Sequence, residues 1–101
     1  MKLFFTKTSR GFKRIDFVDD HQSPCHIQKV DNAIYFGVSD PRPMVLASDA
    51  KAVGVKTQES TGWVSFPLDH RVLVHTDVHL SQKDVQKLLP VLAKYSNTGE
   101  L

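Results

Sequence analysis

One cysteine, Cys25, stands in 101 residues, so no disulfide can close within the chain. That excludes a disulfide-built secreted scaffold and fits a reducing compartment. Long hydrophobic runs are missing as well. The first residues, Met1-Lys2-Leu3-Phe4-Phe5-Thr6-Lys7, return to polar side chains after three apolar ones. A signal peptide needs a longer apolar region, and a membrane helix a far longer one. Charge of one sign is scarce: the formal net charge is +2, too small to define a partner. Several catalytic signatures are absent too. There is no Gly-x-Ser-x-Gly, no His-Glu-x-x-His, no Walker-type phosphate loop and no dinucleotide fingerprint. Together these absences predict a soluble, cytoplasmic protein with no membrane segment. They lean away from an enzyme and imply no cofactor.

What is present suffices for one folded domain spanning residues 1–101, near the commonest domain size. Hydrophobic residues make up 41% and charged residues 24%, ordinary values for a chain that buries a modest core. Positive charge is unevenly spread. Lys2, Lys7, Arg10, Lys13 and Arg14 all precede the first acid, Asp16. Such a cluster attracts phosphates, although a solvated strand pair would look the same.

Breakers at Gly11, Ser23-Pro24, Asp40-Pro41-Arg42-Pro43, Gly54, Gly62, Pro67 and Asn97-Thr98-Gly99 cut the chain into short elements. Lys2 to Thr6 reads as a first strand. From Phe12 to Val18 the residues alternate, with Lys13, Ile15 and Phe17 on one face and Arg14, Asp16 and Val18 on the other. Cys25 to Val30 is the returning strand of a hairpin, and Ala33 to Val38 an apolar and aromatic strand. Ser48 to Val53 reads as a short helix stopped by Gly54. Trp63 to Phe66 and Val72 to Leu80 read as two more strands. The clearest element is last: Ser81 and Asp84 form a capping pair, and Val85, Leu88, Leu89, Leu92 and Tyr95 follow at helical spacing. Pro90 interrupts that helix and frees the carbonyl of Gln86.

The fold class is therefore α+β, a mainly antiparallel sheet with one short helix and a C-terminal amphipathic helix packed on one face. One helix covers about half of such a sheet. The remainder predicts an interface with another copy, and hence a homo-oligomer.

His75, Asp77 and His79 alternate along the last predicted strand and share a face, with Val74, Thr76, Val78 and Leu80 turned toward the core. The two histidines lie ~13 Å apart on an extended strand, too far to hold one ion together, so no metal site is assigned. Cys25 and His26, adjacent on a strand, face opposite sides, so His26 does not activate the thiol, and Cys25 reads as a buried small residue.

The most suggestive constellation is aromatic and basic. Tyr35 and Trp63 offer planar faces for stacking a base, against their commoner role as core residues. Arg14, Lys29 and Arg42 would meet phosphates, Arg42 from a loop stiffened by Pro41 and Pro43. Gln28 and His79 would supply hydrogen bonds to polar edges.

Several segments together resemble a family of small, mostly uncharacterised accessory proteins encoded by tailed phages and prophages. They are Cys25-His26-Ile27-Gln28, Ala33-Ile34-Tyr35-Phe36-Gly37, Gly62-Trp63-Val64-Ser65-Phe66-Pro67, His79-Leu80-Ser81, and Leu88-Leu89-Pro90 through Thr98-Gly99-Glu100-Leu101. Family members carry serine or threonine runs after the glutamine and an arginine before a Met-His-Leu; here those places hold Lys29-Val30 and Asp77-Val78-His79. The resemblance implies an accessory protein acting in the cytoplasm of an infected bacterial cell and brings no catalytic residues. Joined to the aromatic and basic constellation, it predicts a non-enzymatic binding protein that sequesters a small phosphorylated (cyclic) nucleotide immune signal as a homo-oligomer. The alternatives are a protein–protein inhibitor of a host factor and a small nucleic-acid-binding protein.

Overall fold

The computed structural model describes all residues from Met1 to Leu101. Seven strands, two short 3-10 turns and one helix follow in order: β1 Phe4–Lys7, β2 Lys13–Val18, β3 Pro24–Val30, β4 Ala33–Val38, β5 Met44–Leu46, the turns Ala47–Asp49 and Lys51–Val53, β6 Trp63–Ser65, β7 Asp77–Ser81 and α1 Gln82–Thr98. The chain divides into two compact units, one of Met1–Asp40 with Thr76–Leu101 and one of Pro41–His75.

The larger unit is a five-stranded antiparallel sheet in the order β1-β2-β3-β4-β7, followed by α1. Strands β1 to β4 form a meander because the turns between them are short and chemically specified. Asp19 Oδ1 accepts hydrogen bonds from the backbone N–H groups of His21 and Ser23, closing the β2–β3 turn. At the β3–β4 turn Asp31 takes a positive φ of 47°, a conformation that aspartate, with its short polar side chain, adopts more readily than most residues.

The register sorts the side chains cleanly. Phe5, Ile15, Ile27, Phe36 and Val78 stand opposite one another in one row, so one face of the sheet is apolar. Phe17 meets Phe36 edge to face on this side, with ring centroids 6.1 Å apart. Cys25 lies beside Phe17 on the same face and is buried, as its type suggests. Burial and the nearby Asp19 charge push its thiol pKa up, which leaves it a poor nucleophile.

The smaller unit pairs β5 with β6, and the N–H of Phe66 donates to the carbonyl of Pro43 at one end. The 3-10 turns follow β5 and end at Gly54, whose φ of 81° is the left-handed stop that the sequence predicts. Ala50 and Ala47 are its buried residues. The predicted short helix exists only as these two tight turns, and β5 was not anticipated because Pro43 precedes it directly.

The α+β class, the antiparallel sheet and the C-terminal helix are those the sequence predicts. The packing of the helix is not. Only Val85 of α1 is half-buried, and every residue from Gln86 onward is exposed. Val78, expected to face a core, is 56% exposed. The physical reason is at the junction. Ser81 is both the last residue of β7, paired with Ala33, and the N-cap of α1. No residue is left over for the reversal that would lay the helix back on its own sheet, which takes a connection of about 2–6 residues.

Candidate functional site

The opposite face of the sheet is polar, and the register arranges it in two rows. The first row runs Thr6, Arg14, Gln28, Tyr35 and His79 across all five strands. Four of the residues predicted to bind ligand thus stand side by side, one per strand, ~4.8 Å from neighbour to neighbour. The second row runs Phe4, Asp16, His26, Gly37 and Asp77.

Arg14 joins the two rows. Its Nε donates to Asp16 Oδ1 at 2.9 Å, one Nη to Gln28 Oε1 at 3.1 Å and the other to Ser39 Oγ at 3.3 Å. Thr6 Oγ1 donates to the second oxygen of Asp16. A guanidinium has five N–H groups, so two remain for an anion above the sheet. The Asp16 carboxylate cancels part of its charge, and an incoming phosphate must outweigh that pair.

His26, 7% exposed, sits at the centre of the second row. Its Nδ1 lies 2.7 Å from Ser39 Oγ and its Nε2 3.1 Å from Asp77 Oδ2. A carboxylate only accepts, so Nε2 carries a proton, and in the neutral ring Nδ1 accepts the Ser39 hydroxyl. His26 and Asp77 belong to strands β3 and β7, with β4 between them. They meet because the intervening residue is Gly37. A Cβ there would collide with Asp77 Oδ1 and stand 2.6 Å from the carbonyl oxygen of Thr76.

Tyr35 and His79 stack, with centroids 3.7 Å apart and planes inclined by 22°. His79 therefore covers one face of the Tyr35 ring, and the two rings make one continuous aromatic surface. The other predicted residues are elsewhere. Lys29 follows Gln28 on β3, so it faces the apolar side beside Ile34. Arg42 and Trp63 belong to the Pro41–His75 unit, where Trp63 pairs with Leu46 and is 65% exposed. His75 lies before the strand and is also in that unit, because β7 begins only at Asp77.

The His26, Ser39, Asp16 and Asp77 network was not assigned from the sequence. The usable signals were Gly37 inside a strand, which marks a close approach, and the shared parity of His26 and Gln28. Neither says which strand faces Gly37. The chain matches no family model, no curated protein and no solved structure.

Proposed function

We propose that the protein is a non-enzymatic binding protein that takes a small phosphorylated nucleotide on the polar face of its sheet. The observation that carries this reading is the single row Arg14–Gln28–Tyr35–His79, a guanidinium, an amide and a stacked aromatic pair on adjacent strands. Its length of ~14 Å suits a nucleotide, with phosphate toward Arg14 and base toward Tyr35 and His79. The likeness to phage accessory proteins supports a sequestered nucleotide signal in the bacterial cytoplasm, with the protein acting as a homo-oligomer.

The test is thermal unfolding against cyclic di- and trinucleotides and ADP-ribose derivatives. A ligand at a hundred times its Kd adds about 2.7 kcal/mol of stability, a shift of several degrees in a domain this size. Arg14→Ala should abolish the shift, while Arg71→Ala, an exposed side chain held by Asp69, should keep it. No shift with any of these compounds would sink the reading.

One observation favours a second reading, a nucleotide-cleaving enzyme. Ser39 Oγ, the His26 ring and Asp77 stand in line, in the order nucleophile, base and orienting carboxylate. Recovery of a cleaved product, lost in Ser39→Ala, would decide for it. Recovery of intact ligand decides for binding alone.

A further inference from the structure

Two apolar surfaces of the larger unit have no partner within that unit. One is the sheet row of Phe5, Ile15, Ile27, Phe36 and Val78, in which Phe5 is 74% exposed. The other is the stripe of Leu88, Leu89, Leu92 and Tyr95 on α1, with Leu92 57% exposed. No large side chain anywhere in the chain is fully buried.

The accessible surface measures this deficit. It is 8623 Å². A compact chain of 11.4 kDa exposes about 5,800 Å², and two separately compact units of these lengths about 6,900 Å². Each copy therefore carries an excess of about 1,700 to 2,900 Å² over a self-contained fold. Part of it belongs to the Pro41–His75 unit, where Trp63, Val72 and Leu73 are exposed. Half of the lower figure, hidden in each of two copies, would bury about 1,700 Å² between them, the standard size of a specific interface.

We propose that the occupant of each surface is a second copy of this chain, with α1 of one protomer lying on the apolar sheet face of the other and the exchange reciprocal. The dimensions agree. The stripe from Val85 to Tyr95 is about 15 Å long by helical rise, and the sheet row across five strands about 19 Å. The junction dictates the direction. Ser81 serves at once as strand end and N-cap, so α1 leaves its own sheet beyond Val85. Its capping box, with Ser81 Oγ accepting from the Asp84 N–H and Asp84 from the Ser81 N–H, keeps the exit defined. Pro90 falls on the polar side of α1, some 140° from Val85, so its missing N–H stays clear of the stripe. Exchange of one identical element satisfies both faces with a single two-fold axis. This inference is independent of any ligand on the polar face.

The experiment uses the full chain with Cys25→Ser as background. Two proteins, one with Leu92→Cys and one with Val78→Cys, are mixed, denatured and refolded together, and oxidised gently. The expected product is a disulfide-linked pair joining the two different variants, well above the yield of either alone. Light scattering of the unsubstituted protein should give twice the chain mass or an even multiple of it. A monomer at tens of micromolar would overturn the proposal. So would a link formed only between two Leu92→Cys chains, which would mean helix against helix. A third result, a link closing within a monomer that carries both substitutions, would mean that α1 folds back on its own sheet and would also overturn it. Leu88→Asp with Leu92→Asp should convert the dimer to monomer. Circular dichroism of that variant separates loss of association, with strand signal kept, from loss of the fold.

Discussion

Gly37 is the residue on which the polar face turns. Side chains on β3 and β7 are two strand spacings apart and do not normally touch. With only a hydrogen at position 37, His26 and Asp77 close over β4 to 3.1 Å. Gly37→Ala should destabilise the protein by about 1–3 kcal/mol, as overpacking does, because the Cβ meets the Thr76 carbonyl oxygen and the Asp77 Cα as well as the Asp77 carboxylate, and the backbone atoms cannot swing aside. Urea unfolding with an unchanged slope would measure it, and a midpoint equal to the parent's would show that the gap is not tight. Ser39 is the complementary case. A serine before Asp40-Pro41 looks like loop chemistry, and nothing local announces that its hydroxyl joins Arg14 to His26.

At the scale of elements, α1 is the part written most fully into local sequence. The capping pair, the apolar stripe and Gly99 with its φ of 74° are all at the positions the sequence predicts. Ser81→Ala should cost about 1 kcal/mol of stability, read as a lowered unfolding midpoint and reduced helix signal. The Ser81 backbone N–H, then its hydroxyl, hold the Asp84 carboxyl below its ordinary pKa of 3.8. A depressed carboxylate pKa stabilises the folded state above the ordinary value, and the gain is lost as pH falls through the lower, folded one. The helix signal should therefore be flat around neutrality and decline in acid, and Asp84→Asn should flatten that decline. The predicted strand from Val72 to Leu80 shows the opposite behaviour. It alternates from Val74 to Leu80, but only Asp77–Ser81 finds a partner, in β4, and a strand exists only where its backbone is paired.

For the whole molecule, the accessible surface is the governing quantity. Phe5, Val78 and Leu92 stand in water in the single chain, and a dimer that covered them, as proposed, would bring mass action into its stability. The unfolding temperature should rise with protein concentration over the range from one to one hundred micromolar. A temperature independent of concentration, with a monomer by light scattering, would contradict this.

The sequence by itself determined the class and the parity. Alternation on β2, β3 and β4 fixed which residues share a face, so Arg14, Gln28 and Tyr35 were legible as companions once the strands were paired in sequence order. Capping chemistry determined where α1 starts and stops. Only the tertiary structure decided what lies opposite what. That β7 pairs with β4 across the long connection brought His79 onto Tyr35 and Asp77 onto His26. The physical reason is that local chemistry acts over a few residues, whereas register between distant strands is set by whichever pairing satisfies the most backbone and buries the most surface. The junction at Ser81, where strand end and N-cap coincide, likewise gives α1 its direction away from the sheet.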